Sequence, residues 1–145
     1  MATDDAGRLG KLLSFRRNEE ERVRLREARA LSRVEAARRR ARALEMQLSA
    51  CQACPPGGPD SAGLIDAHRC ACRLRDALTS QLRVLAQAEA DLAEVRAEVA
   101  EAGRRRLAVE RRADAAVLEQ RRRVEAAGQS DIDESGRLRA LMEES

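Results

Sequence analysis

All three prolines of this 145-residue chain fall within five positions, Pro55-Pro56-Gly57-Gly58-Pro59. No helix passes through such a run, because each proline removes a backbone donor and clashes with the turn before it. On either side the sequence has helical periodicity, with only six further glycines in the rest of the chain. The chain is therefore expected to fold back once. The pattern predicts helix 1 over about 8–51, a tip loop over about 52–63, helix 2 over about 64–127 and an acidic C-terminal tail over 128–145, with Gly128-Gln129-Ser130 as the break and room for a short helix around Asp133 to Met142. At 1.5 Å per residue the two helices would be roughly 60 Å and 95 Å long.

Composition supports two long helices over a rounded core. The chain holds 28 Ala and 27 Arg but a single Phe (Phe15), with neither Trp nor Tyr. Globular cores of this size usually rely on aromatics, each of which buries a large area. Abundant Ala, Arg, Glu and Leu is the composition of extended helices. No apolar run is long enough to span a bilayer, and Asp4 and Asp5 stand where a secretory leader would be basic and apolar. The reading is cytoplasmic, with no membrane insertion. One histidine (His68), no Gly-rich phosphate loop and no strand-like segment argue against an enzyme or a small-molecule substrate.

The heptad register is clearest in helix 2. Its a positions are Ala71, Leu78, Leu85, Leu92, Val99, Arg106, Ala113 and Gln120. Its d positions are Leu74, Gln81, Ala88, Val95, Ala102, Val109, Ala116 and Arg123. Helix 1 offers Leu13, Glu20, Glu27, Val34, Ala41 and Leu48 at a, and Leu9, Arg16, Val23, Ala30, Ala37, Leu44 and Cys51 at d. Such repeats make a coiled-coil seam. With one connection the helices are antiparallel, so the fold class is all-α, an elongated antiparallel two-helix coiled-coil hairpin. Facing residues should have numbers summing to a constant, and 122 sets Ala30 against Leu92, Ala37 against Leu85 and Leu44 against Leu78. It also sets the acidic stretch 89–101 against the arginine-rich stretch 21–33. One layer is poor: Arg16 faces Arg106, and two guanidinium groups are costly to bury together. There the helices should part, or the arginines snorkel to water. Helix 2 outruns helix 1 from about Ala115, leaving Val117, Leu118 and Val124 as the first place to seek a partner surface.

Four cysteines flank the turn, Cys51 and Cys54 before it and Cys70 and Cys72 after it, with His68 beside them. The spacing, C-x2-C, fifteen residues, then C-x-C, admits tetrahedral zinc. It equally admits a disulfide pinning the register, or thiols acting as small apolar residues. On a helix Cys70 and Cys72 point well apart, which weighs against zinc. The runs Arg38–Arg40, Arg104–Arg106 and Arg121–Arg123 each wrap a helical turn. They suit solvated faces or an acidic protein surface better than nucleic acid, for which aromatic stacking platforms are missing.

The ends of the chain carry a family resemblance. Leu9-Gly10-Lys11-Leu12-Leu13-Ser14-Phe15-Arg16-Arg17-Asn18-Glu19-Glu20-Glu21 resembles the opening of FliJ-type proteins. The stretch from Leu118 to Glu125, followed by Asp131-Ile132-Asp133-Glu134-Ser135, is similar to that family's basic-then-acidic ending. The family comprises the flagellar FliJ and injectisome YscO-type stalk proteins of type III secretion. The missing aromatics and the cysteine tip lean toward the injectisome branch. The resemblance implies a non-enzymatic stalk that inserts into the hexameric secretion ATPase and links it to the export gate protein, with secretion chaperones as further partners, peripheral to the inner-membrane apparatus. It implies contacts to the ring by Leu9, Leu12, Leu13, Phe15 and Arg16 on one helix. On the other it implies Arg121, Arg122, Arg123, Asp133 and Glu134, with Val117 and Leu118 added from the overhang. The rival reading is a generic coiled-coil adaptor or dimeriser with a zinc-binding cysteine tip.

Overall fold

A computed structural model describes residues 2–53 and 60–145. The chain is an all-α helical hairpin of two helices, α1 (Ala2–Ala53) and α2 (Ser61–Glu143). Asp60 caps α2. Its carboxylate accepts the Gly63 amide at 2.8 Å and its carbonyl accepts the Leu64 amide at 3.0 Å, satisfying donors that a helix start leaves open. The cap starts α2 at Ser61, three residues before the apolar pattern begins at Leu64. At the other end α2 continues through Gly128 instead of stopping near residue 127. A lone glycine costs about 1 kcal/mol against alanine, which Ala126, Ala127 and a Gln129–Asp133 hydrogen bond of 3.1 Å help offset. α1 likewise begins earlier than about 8. Asp4 and Asp5 in its first turn complement the helix dipole, and Asp4 also pairs with Arg8 at 2.8 Å.

The chain divides into two compact units. In the unit Glu21–Ala100, every described a and d position of the heptad register is buried or half-buried. Ala30, Val34 and Leu92 form its core, with Leu85 and Ala88 packed against them. Val34 is only 1% exposed. Small residues opposite large ones fill so narrow a seam without strain. The Gln81 amide donates to the Ala37 carbonyl at 3.2 Å, so this polar d residue has a partner inside the seam. Of the flanking ion pairs, Arg26 with Glu98 at 2.6 Å joins the acidic and arginine-rich stretches as matched in the sequence, while Arg96 with Glu27 at 3.5 Å reverses the signs and Arg38 with Glu89 at 3.1 Å lies beyond the arginine stretch. These pairs are largely exposed, so each adds well under about 1 kcal/mol. They favour the register more than they stabilise the fold.

The unit formed by Met1–Glu20 and Glu101–Ser145 has a different interior. Ala102 and Val109 are buried, and with them Glu20, which is 6% exposed. Arg106 Nε donates to Glu20 Oε2 at 2.5 Å, and Arg106 Nη1 donates to Glu110 Oε2 at 2.6 Å. Glu110 also takes Arg17 at 3.3 Å, while Glu19 takes Arg16 at 2.9 Å and Arg105 at 3.6 Å. The Arg16/Arg106 layer therefore does not part. Both arginines stay half-buried because Glu19, Glu20 and Glu110 supply the opposite charge. The expectation of an opened layer failed because it weighed that layer alone, without Glu20 in the neighbouring layer of the seam. Glu19 and Glu110 flank these layers, one position off the seam.

Gly103 sits mid-helix in this unit, and a Cβ there would meet only Glu20 Oε1, at an ordinary 3.8 Å. Gly103→Ala is thus expected to stabilise the chain by about 0.5–1 kcal/mol, by restricting the unfolded chain and raising helix propensity. Urea unfolding of both proteins checks this; a lower midpoint for the alanine variant would refute it.

Candidate partner-binding surface

The residues singled out at the two helix ends divide into two groups. Leu9, Leu13 and Arg16 are half-buried in the seam, so their side chains are largely used within the fold. Leu12 and Phe15 face outward, at 39% and 58% exposure. The Arg16 guanidinium lies 5.6 Å from the Phe15 ring centroid, within cation–π range. One face of α1's first turns thus serves the fold, and the adjoining face offers an aromatic and a leucine to water.

On α2 the change is abrupt. Gln120 is the last half-buried residue, and every residue from Arg121 to Ser145 is exposed. Arg121, Arg122, Arg123, Asp133 and Glu134 are all in this stretch, and Arg123 pairs along the helix with Glu119 at 3.2 Å. Val117 and Leu118 are half-exposed, and Val124, Ile132, Leu138, Leu141 and Met142 more so. Large apolar groups carried by a well-formed helix without cover are the kind of surface that a partner can bury. The sequence reading named Val117, Leu118 and Val124 from the register. It missed Ile132, Leu138, Leu141 and Met142 because it ended the helix at Gly128; their spacing along a continuous helix was the available signal.

Electrostatics within this unit favour paired arginines. Glu101 accepts from Arg104 at 2.7 Å and from Arg105 at 3.3 Å, and these guanidinium groups hold its carboxyl below the usual value of 4.5. The lowered value means that this pairing favours the folded chain above the ordinary glutamate range. The benefit is lost as pH falls through it.

The three described cysteines, Cys51, Cys70 and Cys72, have different surroundings. Cys51 Sγ lies 3.9 Å from the Ala67 carbonyl across the seam, one helical turn before Cys70. Cys72 Sγ lies 3.6 Å from His68 Nε2 one turn earlier on α2. Cys54 lies outside the described residues. Among the described residues no three metal-ligating side chains converge. Partial burial pushes the Cys51 thiol up from its ordinary value of 9.0, and the Cys70 thiol adds to the shift.

These features define a class, the helical hairpin with a heptad seam and an uncovered, charged helix end. The chain belongs to the FliJ family: residues 5–144 match the family described as Flagellar FliJ protein. The match spans both helices and is to the flagellar family, whereas the cysteine tip had leaned the sequence reading toward the injectisome. Neither the curated proteins nor the solved structures contain a significant match to the chain. Membership assigns the chain to flagellar protein export as a coiled-coil component. Among the described residues no helix is long and apolar enough to cross a membrane.

Proposed function

We propose that the chain is the non-enzymatic stalk of the export ATPase, inserting its helix ends into the ATPase hexamer and linking that ring to the export gate. The observation that carries this reading is the helical segment 121–143, formed yet exposed at every residue. A helix that buries nothing in its own chain gains little from tertiary packing, so its apolar side chains suit an external surface. Arg121, Arg122 and Arg123 surround one turn, as a ring lined by acidic groups on several sides would require. Leu12 and Phe15 on α1 supply a second apolar contact to the same partner. The gate protein, and chaperones that deliver export substrates, are the further partners of this reading. A coupling role needs no catalytic residue in the stalk, since hydrolysis belongs to the ring. The test is binding of the purified chain to the purified export ATPase in the presence of nucleotide, read by sedimentation. Comigration with the assembled ring is expected; a chain that stays at the top of the gradient at micromolar concentration overturns the proposal.

A further inference from the structure

We infer that Cys51 and Cys70 form a reversible dithiol–disulfide pair that staples α1 to α2 beside the turn. The two residues come from different helices of the unit Glu21–Ala100, and both are half-buried. Cys51 reaches across the seam to within 3.9 Å of the Ala67 carbonyl, one helical turn before Cys70. Cys72, by contrast, is turned toward His68 on its own helix. A disulfide spans only about 5.5–6 Å between Cα atoms, and the Cys51 thiol already reaches the turn of α2 that precedes Cys70.

The oxidant is a low-molecular-weight disulfide. One protein thiolate attacks it, forming a mixed disulfide and releasing one small thiolate. The second protein thiol, deprotonated, attacks the mixed disulfide, forming the Cys51–Cys70 bond and releasing the other small thiolate. Two S–H bonds are lost, one protein S–S bond forms, and the two electrons and two protons leave with the two small thiols. A reducing thiol reverses each step. Closing the pair removes freedom from the unfolded chain, so the oxidised hairpin resists opening at its turn more than the reduced one.

Trypsin cuts after Arg69, which separates Cys51 and Cys54 from Cys70 and Cys72. The full chain is equilibrated in oxidised and reduced glutathione, quenched with an alkylating agent, digested and mapped by mass. The inference expects a disulfide joining the two peptides, and the same bond in the full-length double variant Cys54→Ser/Cys72→Ser. The variant Cys54→Ser/Cys70→Ser, which keeps Cys51 and Cys72, should form at least about tenfold less intramolecular disulfide, equivalent to a potential about 30 mV higher. Bonds confined to one peptide, equal closure of the two double variants, or glutathione adducts without a protein disulfide would overturn it.

Discussion

Arg106→Ala is expected to destabilise the chain by about 2–3 kcal/mol, more than any exposed charge change should. The cost comes from what the substitution leaves behind. Glu20 is 6% exposed and receives Arg106 Nε, so removing the guanidinium takes a charged hydrogen-bond donor from a buried carboxylate. The figure lies below that of a fully buried pair because Arg106 keeps 25% of its side-chain surface exposed. Glu110 loses one partner but keeps Arg17. Replacing both members, Glu20→Leu with Arg106→Leu, should recover most of the loss, since a hydrophobic layer of similar volume often matches a buried ion pair. Urea unfolding of the two single variants and the double variant completes the cycle. A single Arg106→Ala loss under about 0.5 kcal/mol would show that the layer is solvated and contributes nothing.

Ending the chain after Gln120 is expected to separate folding from function. Every residue from Arg121 onward is exposed, so removing this segment should change the unfolding free energy by less than about 0.5 kcal/mol. It would, however, delete Val124, Leu138 and Leu141, half or more of whose surface is open to water. Burying two such side chains against a partner contributes about 3 kcal/mol, so the truncated chain should bind the ATPase about a hundredfold more weakly. Parallel urea unfolding and titration against the purified ATPase read both quantities. Binding within threefold of the full chain would move the contact surface elsewhere, and a large stability loss would mean that the segment packs against the fold.

The seam was legible because burial in a two-helix fold is set almost entirely by periodicity. Val34, Ala37, Ala41, Leu92, Ala102 and Val109 are buried where the heptads put them. The cross-seam charge match was legible in part: Arg26–Glu98 forms with the expected signs, whereas Glu27–Arg96 pairs the one arginine of the acidic stretch with a glutamate of the basic one. Helix ends were harder to read. A glycine such as Gly128 weakens a helix by an amount that neighbouring alanines and one side-chain hydrogen bond absorb, so local composition overstated its power to stop one. The start of α2 was readable from Asp60, whose carboxylate meets the third residue of the helix, but apolar periodicity alone begins at Leu64. The polar layer was misread because it was weighed apart from its neighbours: Glu20, in the next seam layer, takes Arg106, and Glu19 and Glu110 flank the seam. For the candidate surface, the arginine turn and Val117, Leu118 and Val124 followed from sequence. That Leu9, Leu13 and Arg16 are taken up by the seam required the packed helices.

The account stands on the exposed end of α2 being gripped inside a ring by several subunits at once. Native mass measurement of the assembled ATPase with an excess of the chain tests that most directly. A stalk occupying the central pore predicts saturation at one chain per hexamer, with Val124→Asp lowering occupancy. Saturation at one chain per ATPase subunit would place the chain on the outside of the ring and contradict the stalk reading.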